Sequence, residues 1–184
     1  MIWNNDNLVK ILKGGGVAIM PTDTIYGMVG LAQNISVVDR IYNLKKRNPK
    51  KPCIILIGNI NELEKFSIVL TGEQKKKINN FGTAPTSFIL DCLDDTFSYL
   101  HRSTKTLSFR LPSSPSLRNL LLKTGPLIAP SANPEGLPPA KNIAEAKSYF
   151  GDLVNFYLDG GEVNNKHSKL IQLRKDGTIN ILRG

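Results

Sequence analysis

Helix-like and strand-like apolar spacings alternate along this chain, and that alternation narrows its fold more than any other feature. Leu8, Val9, Ile11 and Leu12 carry a helical spacing over residues 7–13 that stops at Gly14, Gly15 and Gly16. A short apolar run at 17–20 then meets Pro21, which predicts a strand delivering Pro21-Thr22-Asp23-Thr24-Ile25-Tyr26-Gly27 to its end. Helical period returns over 36–44 at Val37, Val38, Ile41, Tyr42 and Leu44, with Ser36 as the expected cap. The same reading predicts strands over 52–57, 87–91, 106–111, 127–129, 154–159, 170–174 and 178–182, the last two separated by a Lys175-Asp176-Gly177 turn. It predicts helices over 61–69, 72–81, 116–123 and 143–150. Intermixed elements of this kind imply an α/β (α+β) domain with a mixed sheet. A length of 184 residues fits one such domain, 1–184, with a substantial core.

Several function classes are disfavoured by composition and spacing. Apolar stretches such as 53–57 and 120–122 fall far short of the roughly 20 residues that cross a bilayer, so no membrane partner is expected. Asn4, Asn5 and Asp6 precede the first basic residue, Lys10, which is unlike a secretory signal and points to a soluble, cytoplasmic protein. Cys53 and Cys92 form no Cys-x-x-Cys pair, and His101 and His167 have no metal-ligand spacing. No protein-bound metal or disulfide is expected, and both histidines read as surface residues. Twenty-four basic against 15 acidic residues, a net charge of +9, make a field attractive to tRNA or nucleotide phosphates. A run such as Lys75-Lys76-Lys77 reads most simply as a solvated face.

Three segments carry chemistry. In residues 21–27 two threonine hydroxyls flank a carboxylate at a strand end, where a small polar ligand and a simple Ser/Thr or Asx turn are both open readings. Lys45-Lys46-Arg47-Asn48-Pro49 joins a helix end to a strand without a glycine-rich phosphate loop. Its cations suit either a triphosphate or the helix dipole. Pro130-Ser131-Ala132-Asn133 ends another apolar strand with short hydrogen-bonding groups, and no Gly-x-Ser-x-Gly elbow makes Ser131 a nucleophile.

In order, these segments with Phe109-Arg110-Leu111-Pro112, Asp159-Gly160-Gly161 and Ile181-Leu182-Arg183-Gly184 resemble the YrdC-like family, its short single-domain threonylcarbamoyl-adenylate synthases in particular. The resemblance spans nearly the whole chain. It implies a twisted mixed sheet flanked by helices, with a concave basic cavity for ATP, L-threonine and bicarbonate. It also implies formation of threonylcarbamoyl-AMP and pyrophosphate. A separate threonylcarbamoyl-transferase complex would then modify adenosine 37 of tRNA. On this resemblance Lys45 and Arg47 hold phosphates as the catalytic cations, and Ser131, Asn133 and Arg183 contact ATP. Thr22, Thr24, Arg110 and Ser168 serve L-threonine. Mg²⁺ arrives with ATP, and no tightly bound cofactor or protein metal site is implied. Direct contact with tRNA or double-stranded RNA is compatible with this reading, and the alternatives are an RNA-binding or ribosome-maturation role on the same fold and a paralogue with another acceptor. The chain departs from the pattern at Lys169, where the family usually has Thr after the serine. It departs again at Phe81-Gly82-Thr83-Ala84-Pro85-Thr86, in place of a Pro-Gly-Pro-x-Thr stretch, and at 53–57, which lacks a His that some members carry. With the sequence ending at Gly184, the second domain of the longer members is not expected.

Overall fold

Asn5 accepts a hydrogen bond from the Leu8 amide and so starts α1 (Asp6–Lys13), which buries Leu8 and Leu12, one turn apart. These elements belong to a computed structural model that describes residues 2–81 and 84–184; Gly82 and Thr83 of the altered stretch lie outside it. Strands β1 (Ala18–Pro21) and β2 (Tyr26–Leu31) pair antiparallel, with Met20 opposite Gly27. No strand is expected at 26–31 from the sequence, because Gly27 and Gly30 weaken the strand pattern. Burial decides otherwise, since Tyr26, Met28 and Val29 are wholly inside. The cap of helix α2 (Ile35–Lys45) lies two residues earlier than expected: Asn34 caps the Val37 amide at 3.2 Å, and Ser36 lies within the first turn.

The chain continues through β3 (Ile54–Leu56) and a 3-10 helix at Ile60–Phe66, where a short helical segment over 61–69 is expected from sequence. Helix α3 (Gly72–Asn80) carries a reciprocal Thr71–Gln74 capping box, and β4 (Thr86–Asp91) follows. A 3-10 turn (Asp95–Phe97) and the single-turn α4 (Ser98–His101) occupy a stretch without a sequence signal, before β5 (Thr106–Arg110). Ser114 caps α5 (Pro115–Thr124), with proline at its first position, and leads to β6 (Leu127–Ile128). Helix α6 (Ile143–Phe150), β7 (Phe156–Tyr157), β8 (Lys169–Leu173) and β9 (Ile179–Arg183) complete the chain.

The nine strands form one mixed sheet in the order β7-β1-β2-β6-β3-β5-β4-β8-β9. Parallel pairs are β1/β7, β3/β5 and β4/β8, and the others are antiparallel. Side-chain alternation sends Ile19, Met28, Ile55, Phe88, Phe109 and Ile171 into the larger core, with Val38 and Ile41 of α2. Ala18, Met20, Val29, Leu56 and Leu127 face the opposite way, under Leu8 and Leu12 of α1 and Leu117, Leu120 and Leu121 of α5. This second apolar layer covers only part of its face. Further across, the same face carries Ser108 and Arg110 of β5, which pair in register with Ile54 and Leu56 of β3. Among the described residues no helix is long and apolar enough to cross a membrane.

Helix α2 sits close on β2 because Gly30 has no side chain. A Cβ there falls inside the contact shell of Val37 Cγ1 and 3.2 Å from Ile41 Cδ1. Val37 is β-branched and has little rotamer freedom with which to yield. Gly30→Ala is expected to lower the unfolding free energy by about 1–3 kcal/mol, measured as a lower urea midpoint at unchanged slope. An unchanged midpoint would mean that the helix is not seated on this glycine.

Candidate active site

The uncovered part of the sheet face forms the floor of a concave cavity of about 220 Å³. Thr22, Thr24 and Ile25 reach it from the β1–β2 turn, Ser108 and Arg110 from β5, Ser131 from the end of β6, and Ser168 and Arg183 from the β8–β9 pair. Arg47 enters from beyond α2 and His167 from the segment before β8.

Both open readings of residues 21–27 hold together. Thr22 Oγ1 donates to the Ile25 carbonyl at 2.8 Å and accepts from the Thr24 and Ile25 amides at 3.2 and 3.3 Å, so the segment is a Ser/Thr turn. The same turn holds Thr22 Oγ1 and Thr24 Oγ1 3.0 Å apart at the cavity wall. It also presents Asp23 to Arg110, with Oδ1 3.1 Å from Nη2. That ion pair lacks hydrogen-bond alignment: Arg110 Nε and Asp23 Oδ1 are buried with no hydrogen-bond partner among the described residues. Arg110 is only 4% exposed, and burial pushes its guanidinium pKa down against the opposing pull of Asp23.

Helix α2 ends through a left-handed Lys46 (φ +49°), which separates the environments of its neighbours. Arg47 turns into the cavity, with Nε donating to the Lys51 carbonyl at 3.1 Å and Nη2 to that of Pro52 at 3.0 Å. Lys45 turns inward and is 1% exposed. Its ammonium donates to the carbonyls of Ser131 and Asn133, behind the cavity wall and not on it. Desolvation, and then Arg47, lower the Lys45 pKa to about 8. Asn133 is also behind the wall. Its Oδ1 accepts from Ser131 Oγ, and its Nδ2 donates to the Pro134 and Leu137 carbonyls at 2.9 and 2.7 Å. Arg183 Nε and Nη2 donate to the Ser168 carbonyl at 3.0 and 2.8 Å, and Ser168 Oγ lies 2.9 Å from Ser87 Oγ. The Tyr26 hydroxyl donates to the Gly161 carbonyl at 2.8 Å and accepts from the Gly160 amide at 2.9 Å, tying Asp159-Gly160-Gly161 to β2.

The Sua5/YciO/YrdC family model, described as telomere recombination, matches residues 10–184. The chain belongs to this family. It is 25% identical over 182 residues to a protein of Nitrosococcus oceani named threonylcarbamoyl-AMP synthase, covering 98% of this chain and 97% of that one. It is 31% identical over 154 residues to the Bacillus subtilis protein of the same name, covering 82% of this chain and 44% of that one. The fold matches that of P. abyssi Sua5 complexed with L-threonine at a TM-score of 0.85 and 24% identity, covering 100% of this chain and 54% of that one. The chain spans about half the length of the last two proteins.

Of the residues assigned by resemblance in this Sua5/YciO/YrdC member, Thr22, Thr24, Arg47, Arg110, Ser131, Ser168 and Arg183 line the cavity, while Lys45 and Asn133 brace it from behind. The surface expectation fails for His101, which is buried with Nδ1 accepting from the Ser103 amide at 3.2 Å, and holds for His167, which is exposed and also lines the cavity. Nothing local in sequence signals His167, because the arginines beside it arrive from β5 and β9.

Lys45→Met removes the donor from two carbonyls and is expected to cost about 1–3 kcal/mol, read from urea unfolding. The folded protein releases the Lys45 proton near pH 8 and the unfolded chain near pH 10.5, so between them the unfolded state binds more protons. The wild type therefore gains stability relative to Lys45→Met as pH rises through that window. Equal stability of the two at every pH would show that the amine is not held there.

Proposed function

We propose that this chain is a threonylcarbamoyl-AMP synthase that makes the adenylate and pyrophosphate from L-threonine, bicarbonate and ATP. The observation that carries the reading is the convergence, in one cavity, of Arg47, Arg110 and Arg183 with the hydroxyls of Thr22, Thr24, Ser131 and Ser168. Such a lining suits a ligand with several anionic oxygens beside a small hydroxy amino acid. The names of the relatives and the threonine complex of P. abyssi Sua5 support the same chemistry.

In this reaction a carbamate oxygen attacks the α-phosphorus of ATP and pyrophosphate leaves. The protein's part is to position the reactants and to neutralise developing charge. Arg47 serves the phosphates, its fork fixed by two backbone carbonyls on one side with further donors to spare. Arg183 stands at the ATP end, held in the same manner by Ser168. Arg110, on the cavity floor, takes the threonine carboxylate. Lys45 acts through the Ser131–Asn133 segment that it holds. Mg²⁺ would arrive with the ATP phosphates, and among the described residues the cavity lining holds no carboxylate to add to its coordination. The adenylate is then consumed by a threonylcarbamoyl-transferase complex acting on tRNA in the cytoplasm.

The test is pyrophosphate release from ATP and bicarbonate with and without L-threonine, with chromatography of the product. Threonine-dependent release and a threonylcarbamoyl adenylate are expected. Arg47→Ala is expected to lower kcat by about 10²–10³-fold. Arg110→Ala is expected to raise the threonine requirement by about 10–100-fold. Release that ignores threonine, from folded and ATP-binding protein, would refute the assignment.

A further inference from the structure

The cavity poses a protonation problem that its arginines do not solve. An amino acid enters as an ammonium ion, and an ammonium nitrogen has no lone pair with which to attack bicarbonate. Apart from arginine, the titratable side chains on the lining are Cys53 and His167. Cys53 is buried and its thiol is pushed up by that burial. Asp23 is held against Arg110 and accepts from the Ser113 amide at 3.3 Å, outside the lining.

His167 is placed differently. It immediately precedes Ser168, whose carbonyl is clasped by Arg183, so its backbone is anchored at the cavity. One side of the residue lines the cavity and another is open to solvent. A group in that position connects a bound ligand with bulk water.

We propose that His167 is the proton relay of this site, accepting the proton that the amino-acid ammonium must lose and passing it to solvent. The inference rests on the synthase reading above. In the step, an ammonium N–H bond breaks, its electron pair stays on nitrogen, and the proton binds an imidazole nitrogen. The amine then forms an N–C bond to the carbon of bicarbonate, giving the carbamate with loss of water. The imidazolium returns its proton to solvent. Electrostatics sets the resting form and the release: desolvation, then Arg183 of β9 and Arg110 of β5, hold the imidazole below its ordinary range, so it stands unprotonated before the transfer and gives the proton up readily afterwards, while acceptance depends on the same cations destabilising the ligand's ammonium. Arg47, the third cation of the lining, adds to a field that also disfavours the ligand's ammonium. The proton therefore leaves the ligand more readily and does not rest on His167.

The test combines kinetics with a direct readout of the imidazole. His167→Ala and His167→Gln are expected to lower kcat of threonine-dependent pyrophosphate release by about 10²-fold with little change in the KM for ATP. Both variants should lose the acid limb of the wild-type pH profile, and added imidazole should restore activity to His167→Ala. His101 is the only other histidine, so NMR can follow His167 by itself. Its midpoint should lie below the ordinary value of about 6.5 and move when L-threonine is added. A fully active His167→Gln variant with the wild-type pH profile would overturn the relay, as would loss of activity that imidazole does not restore. An ordinary midpoint indifferent to threonine would overturn it whether or not the protein makes an adenylate. Absence of pyrophosphate release from wild type would instead remove the synthase reading, and the NMR result would still decide whether His167 exchanges protons with a bound amino acid.

Discussion

The incomplete helical cover on one face of the sheet determines where everything else in the molecule stands. Helices α1 and α5 lay an apolar layer over Ala18, Met20, Val29, Leu56 and Leu127. Beyond that layer the same face continues as Ser108, Arg110, Ser87 and Ser168, because a face with nothing apolar above it is favourable only if its side chains are polar. The fold thus makes a polar floor, and the β1–β2 turn with the segments around Arg47, Ser131 and His167 make it concave. The opposite face carries the larger core and gives the floor its rigidity, since Phe109 lies between Ser108 and Arg110 on the same strand.

Placing a guanidinium on that floor has consequences for the rest of the site. Desolvation of a buried cation costs several kcal/mol unless a partner compensates, and Asp23 is the partner that approaches Arg110. Asp23 reaches it because the β1–β2 connection is a tight Ser/Thr turn closed by Thr22. The hydroxyl that closes the turn also accepts from Arg110 Nη2 at 3.3 Å. Local turn chemistry and the ligand site are therefore one arrangement.

Much of this was legible in the sequence, and the exceptions have physical causes. Helices α1, α2, α5 and α6 follow their apolar periods, and most strands appear as apolar runs, trimmed at the ends by the sheet. Strand β2 is hidden by two glycines, one of which is there to let α2 approach. The 3-10 helix at Ile60–Phe66 has helical spacing but not α-helical hydrogen bonding, a distinction that apolar period does not register. Seven of the nine residues assigned to the site by resemblance meet at the cavity. Lys45 shows the limit of such reasoning: it falls on the buried face of α2 with Val38, Ile41 and Tyr42, and only three-dimensional contact reveals that its ammonium meets two carbonyls and braces the wall. His167 is the converse case, an isolated histidine in a polar stretch that gains its setting from arginines at positions 110 and 183.

The charge balance ties recognition to activation. Three guanidiniums line the cavity, and the carboxylate nearest to them, Asp23, is already committed to Arg110. The uncompensated positive potential attracts phosphates and a carboxylate, and within a partly desolvated cavity it acts more strongly than on an open surface. A zwitterionic amino acid feels both signs of that potential, so its carboxylate is drawn toward Arg110 while its ammonium is destabilised. Binding in this orientation weakens the very N–H bond that must break, and an exposed neutral imidazole offers the proton a way out. The same charges that select the ligands thereby prepare one of them to react, with no acidic side chain among the described residues of the cavity lining.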